Sequence, residues 1–215
     1  RGVEWDLDRF EGIHVIGGGK ACGAMAEAVE EILGDRISSG TVNVLKGTES
    51  RHDLNQISLN GASHPIPDMD GVAGVQRMME TLDSVGESDM VIILISGGGS
   101  SLLAFPAKDI ALEDIQDVTQ KLLTSGATIG GLNAVRKHLS AVKGGQLAQR
   151  SQRATVISLI LSDVVGNPLD TIASGPTVPD ETTFGDARAV LDRFCLWEGA
   201  PLIVRERLEE GAKGK

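Results

Sequence analysis

Met90-Val91-Ile92-Ile93-Leu94-Ile95-Ser96-Gly97-Gly98-Gly99-Ser100-Ser101 is a run of six apolar residues that stops at a serine and three glycines. A strand with one wet face alternates polar and apolar side chains. This run does not alternate, which predicts a central strand buried on both faces. Other apolar runs with β-branched residues lie at 13–16, 41–45, 56–59 and 154–161. Helical periodicity falls at 21–33, 69–85, 112–123, 129–139, 145–150, 184–194 and 201–210. Strands alternating with helices predict an α/β fold whose parallel sheet is covered on both faces.

The 215 residues, 41% hydrophobic, suffice for one large α/β domain or two small ones. Twenty basic against thirty acidic residues give a net charge of −10, which argues against nucleic acid and anionic membrane as partners. No run is long enough to span a bilayer and no signal peptide opens the chain, so a cytoplasmic location is expected. Cys22 and Cys195 fit neither a metal pair nor a disulfide framework and are expected to be packed free thiols. The sequence opens on Arg1 and runs directly toward a strand, so the chain is expected to be a fragment of a larger polypeptide.

Four segments carry candidate chemistry. Gly17-Gly18-Gly19-Lys20 ends a strand and opens a helix, where backbone N–H groups and an ammonium can meet an anion. It is not a Walker A loop, because His14 stands where a glycine is needed and Ala21 replaces the metal-binding hydroxyl. It is not a dinucleotide fingerprint either: Cys22 occupies the third glycine position, and Lys46 stands where the second strand should end on an acid. Ser96-Gly97-Gly98-Gly99-Ser100 has more glycine than a simple βα turn requires, and is expected to cradle a phosphate or carboxylate. Asn133, Arg136, Lys137 and Lys143 concentrate cations in an acidic protein and read either as a solvated face or as carboxylate and phosphate ligands. The polar loop after 154–161 offers Asp163 and Asp170 as oxygen ligands for Mg²⁺, against the plainer reading that loop aspartates cap turns. In Ser63-His64-Pro65-Ile66-Pro67-Asp68 the aspartate is expected to cap the next helix, and His64 ranks low as a ligand.

In this order the segments resemble the ATP-dependent glycerate kinase family that carries a C-terminal MOFRL domain and is often labelled hydroxypyruvate reductase. The resemblance rests on Gly19-Lys20-Ala21, on His64-Pro65 with Pro67-Asp68, and on Ser96 to Ser101 with Leu102-Leu103. It extends through Asn133, Val135 to Ser140, Lys143 to Gly145, Ser162 to Val164 and Ala173 to Thr177. It implies a Rossmann-like three-layer sandwich with a mostly parallel sheet over residues 1–200, with 201–215 starting a linker to an absent C-terminal lobe.

The activity implied is transfer of the ATP γ-phosphoryl group to D-glycerate with Mg²⁺, giving 2-phosphoglycerate, in a cleft completed in cis by the MOFRL domain. The fragment is expected to be inactive alone. Lys20 falls on the family's proposed catalytic lysine, and Asp163 is expected to orient Mg²⁺ or accept the hydroxyl proton, with Asp170 as a second metal ligand. Gly18, Gly19, Ser96, Gly97, Gly98, Gly99, Ser100, Asn133, Arg136, Lys137 and Lys143 are the expected substrate or nucleotide contacts. Asn167 departs from the family's usual aspartate, which favours Asp163 and Asp170 for the metal. Two rivals stand beside this reading: an NAD(P)-dependent hydroxypyruvate reductase and a non-catalytic small-anion binding lobe.

Overall fold

The computed structural model describes residues 4–214. Strands β1 (Gly12–Gly18), β2 (Ile37–Leu45), β3 (Ile57–Ala62), β4 (Asp89–Ser96) and β5 (Thr155–Leu161) form one sheet in the order β3-β2-β1-β4-β5, with every neighbouring pair parallel. The helices are α1 (Cys22–Leu33), α2 (Met69–Ser84), α3 (Gly99–Leu102), α4 (Leu112–Thr124), α5 (Ile129–His138), α6 (Gln146–Arg150), α7 (Phe184–Arg193) and α8 (Leu202–Ala212).

β4 is an interior strand buried on both faces, as its composition predicts, lying between β1 and the edge strand β5. Val91, Ile93 and Ile95 join Ile16 against Val75, Met78, Met79 and Leu82 of α2 and Leu147 of α6. On the other face Met90, Ile92 and Leu94 pack with Ile13, Val15, Val42 and Val44 against Cys22, Ala26 and Val29 of α1. Period-two geometry thus sends alternate residues of one apolar run into two cores, each fully buried Leu or Ile contributing about 1.5–3 kcal/mol. A third core contains no strand residue: Val118 and Leu122 of α4, Leu132 and Val135 of α5, Ala187 and Leu191 of α7, and Val204 and Leu208 of α8 pack with Trp197 from a connecting loop. The stretch 201–215, expected to begin a linker, therefore holds α8 in its described part, with Val204 and Leu208 fully buried.

The two thiols differ. Cys22 is buried, and burial raises its pKa to about 11. Cys195 is exposed, which corrects the expectation that both are packed. Among the described residues no helix is long and apolar enough to cross a membrane.

Parallel pairing puts the carboxyl ends of all five strands on one edge. From β1 the chain crosses α1 to β2; from β3 it returns over α2 to β4, on the other side of β1. The order reverses between β1 and β4, and open α/β sheets bind ligands in the crevice at such a switch point.

Candidate active site

Both glycine loops leave the sheet at that crevice, the first from β1 and the second from β4. Their backbones touch: a Cβ built on Gly99 would lie 2.9 Å from the Gly18 carbonyl oxygen and 2.8 Å from Ala173 Cβ. Glycine is needed there because no side chain fits between the two segments.

The loops differ in what they offer a ligand. In the first, the N–H groups of Gly19, Lys20 and Ala21 donate to Asn43 O (3.1 Å), Gly97 O (2.9 Å) and Ser96 Oγ (3.0 Å). What this loop presents is the exposed side chain of Lys20, which forms no ion pair among the described residues. In the second, the N–H groups of Gly98, Gly99 and Ser100 have no acceptor among the described residues. Gly98 has φ +82°, a conformation that glycine adopts freely. Orphaned amides in a glycine turn form an anion-binding concavity.

Three side chains surround this turn. A Cβ on Gly98 would lie 3.0 Å from Lys20 Cγ and 3.1 Å from His64 Cδ2, so lysine and imidazole meet over that glycine. A Cβ on Gly97 would lie 2.6 Å from Asp163 Oδ2, which sets an exposed carboxylate beside that glycine. His64 arrives from the end of β3 and Asp163 from the end of β5. Burial, and then the positive charges of Lys20 and Arg136, hold the His64 pKa below the usual histidine value. His64, ranked low as a ligand from the sequence, lies beside the second glycine turn; its place just after a strand, on the same edge as both glycine loops, is the signal for that position.

The depressed His64 pKa has a checkable consequence. In the window below about pH 6.5 an unfolded chain takes up this proton more readily than the folded one, so the group costs stability as pH falls through the folded value. An anion between His64, Lys20 and Arg136 reverses that penalty. Sulfate affinity is expected to rise about tenfold between roughly pH 7.5 and 5.5, and His64→Gln to remove most of the rise in a calorimetric titration. An undiminished rise in the variant places the anion elsewhere.

The remaining candidates are placed as follows. Ser96 is buried, and its hydroxyl is engaged by Ala21 N–H and by Cys22 Sγ at 3.4 Å. Asn133 Oδ1 accepts from Ser174 Oγ (3.0 Å), which also lies 2.8 Å from Ser100 Oγ. Ala173 and Ser174 carry φ of +52° and +62°, two left-handed non-glycine residues beside the turn, each costing about 1–3 kcal/mol. Arg136 Nη2 donates to Ser100 O at 3.2 Å, and burial lowers its pKa to about 10. Lys137, only 4% exposed, is paired with Asp180 at 3.1 Å. Lys143 is also buried and donates to Leu103 O at 2.8 Å; burial and then Arg136 push its pKa well down. The structure thus brings Lys20, Asp163 and the Gly97–Ser100 turn together at one surface, and engages Lys137 and Lys143 within the fold. Asp170 is exposed beside Thr171.

Among the described residues no three His, Cys, Asp or Glu side chains are grouped to hold a metal. Mg²⁺ typically takes one or two carboxylates and completes its shell with water and substrate phosphates, and the single exposed carboxylate of Asp163 fits that mode.

A family model described as "Domain of unknown function (DUF4147)" matches residues 1–209. A protein of Pyrococcus horikoshii named glycerate 2-kinase is 45% identical over 203 residues, covering 94% of this chain and 45% of that protein. An Agrobacterium vitis protein named putative hydroxypyruvate reductase is 46% identical over 184 residues, 85% of this chain and 47% of its own length. The crystal structure of a glycerate kinase from Thermotoga maritima superposes with a TM-score of 0.85 at 41% identity, over 91% of this chain and 47% of that one. The chain spans about half the length of the curated relatives it matches. On the match over residues 1–209, the chain belongs to the DUF4147 family.

Proposed function

We propose that this chain is the substrate- and nucleotide-binding half of a kinase that transfers the γ-phosphoryl group of ATP to the 2-hydroxyl of D-glycerate. The observation that carries the reading is the turn at Gly98–Ser100, whose amides have no acceptor among the described residues, with the Lys20 side chain over Gly98 and the Asp163 carboxylate beside Gly97. Phosphoryl transfer asks chiefly for positioning and charge stabilisation, and donors and cations outnumber nucleophiles here. The turn holds an anionic group of nucleotide or glycerate. Lys20 balances charge on the transferring phosphoryl group or on the glycerate carboxylate. Asp163 accepts the hydroxyl proton as that oxygen bonds to phosphorus and the bond to the ADP oxygen breaks; alternatively it holds Mg²⁺, which would neutralise phosphate charge. By itself the 215-residue chain binds without turning over, and a second lobe in cis, of the MOFRL type, completes the cleft.

The reductase name carried by the Agrobacterium vitis relative is the competing reading. A dinucleotide pyrophosphate sits on the amides that follow the first strand. Here Gly19, Lys20 and Ala21 N–H already donate within the protein, which favours the kinase. The test uses a chain extended to the relatives' full length. ADP release that requires D-glycerate and yields 2-phosphoglycerate one for one supports the proposal. Hydroxypyruvate-dependent oxidation of NADH or NADPH without such release would replace it, and binding with neither reaction would leave an anion-binding lobe.

A further inference from the structure

The four-residue helix α3, which begins in the anion-binding turn, is too short to stand alone. Its carbonyls are captured from three sides. Ser100 O accepts from Arg136, Leu102 O from Asn43 Nδ2 at 2.7 Å, and Leu103 O from Lys143 Nζ at 2.8 Å. Asn43 is completely buried; its Nδ2 also donates to Gly71 O, and its Oδ1 accepts from Asn60. Its main-chain oxygen takes the Gly19 N–H, so this one residue fastens both glycine loops.

Lys143 works from the other side. The Ser140 hydroxyl accepts its N–H, and Gln146 donates to its carbonyl. The next two amides, Gly144 and Gly145, donate to Ser174 O (3.0 Å) and Gly175 O (2.7 Å). That places the left-handed segment 173–175 against Gly99 and Ser100. One turn therefore grips the end of α3 with a side chain and the flank of the anion turn with its backbone.

We infer that Asn43 and Lys143 are positioning residues: they fix the Gly98–Ser100 amides relative to the Lys20 ammonium, and neither touches the ligand. The inference rests on the proposed anion role of that turn and assigns Lys143 a different task from the ligand contact its sequence context suggests. A cation and an amide donor at the carboxyl end of α3 also complement its dipole.

The experiment is amide hydrogen exchange and D-glycerate titration on the full chain, comparing wild type, Lys143→Met and Lys143→Arg. Removing one buried donor should speed exchange of the amides at 101–103 by about tenfold or more, leave β1 and β2 unchanged, and weaken D-glycerate about tenfold. Lys143→Arg, which restores a donor, should recover part of both. Unchanged exchange at 101–103, or unchanged affinity despite faster exchange, overturns the inference. Should Lys143→Met fail to fold, wild-type exchange decides: the clamp requires protection at 101–103 approaching that of β4, and rapid exchange there rejects it. Wild type that does not bind D-glycerate counts against the proposed function, while the exchange comparison still judges the clamp.

Discussion

Lys20→Ala is expected to lower glycerate-dependent ADP release by about 10²–10³-fold in a chain extended to the relatives' full length, the scale seen when one preorganised charge-stabilising donor is lost. The side chain is exposed, lies along Gly98 and forms no ion pair among the described residues, so its removal should shift stability by no more than about 0.5 kcal/mol. The loss should therefore appear in turnover with the melting temperature nearly unchanged. Lys20→Arg should recover little, because a planar guanidinium offers a fixed fork where the lysine ammonium acts as a compact point charge. A large fall in kcat with KM unchanged places the ammonium on the transition state; a rise in KM alone makes it a ground-state contact. Turnover within about threefold of wild type would remove Lys20 from the chemistry and leave the Gly98–Ser100 turn as the sole anchor of the reading.

The sheet was legible because its signal is local. Each of the five apolar runs became a strand, and β4 is buried on both faces as its unbroken apolar sequence requires. Two features escaped. β2 begins at Ile37, four residues before the apolar run, because Ser39 and Gly40 pair with neighbouring strands although nothing in their composition marks a strand. β5 is as apolar as a central strand, yet it lies at the sheet edge with Leu159 and Leu161 exposed; composition does not distinguish an edge from a centre.

The site was legible in its glycine loops and opaque in its partners. Whether an amide is free depends on residues far away in sequence: Asn43 O, Gly97 O and Ser96 Oγ close the first loop, and no acceptor among the described residues closes the second. The same holds for the cations. Lys137 reads as a ligand from its sequence context, and the fold pairs it with Asp180, 43 residues on; Lys143 reads the same way, and the fold directs it to Leu103 O. His64 is the converse case, since only the parallel topology carries the end of β3 to the edge where Lys20 and Gly98 lie.

Gly17→Ala is expected to destabilise the fold by at least about 3 kcal/mol, a large share of the roughly 5–15 kcal/mol that holds a domain together. Gly17 sits in β1 with φ +148°, and a Cβ there would overlap the carbonyl oxygen of Leu94 and lie 2.7 Å from its nitrogen. Those atoms belong to the backbone of β4, so no side-chain rotation relieves the clash; β1 and β4 must part at the point where both loops leave the sheet. Gly34→Ala separates the two contributions, because Gly34 also has positive φ, +52°, but nothing lies within 4 Å of its missing Cβ. At φ +52° and ψ −130° it should cost only the penalty of a backbone conformation that side chains rarely adopt, about 1–3 kcal/mol. Urea denaturation of both variants reads the difference directly: a markedly lower midpoint for Gly17→Ala attributes the excess to the close approach of β1 and β4. Equal midpoints would show that the strands yield easily at Gly17, and a crevice that yields there could not hold Lys20 at a fixed distance from the amides of the second loop.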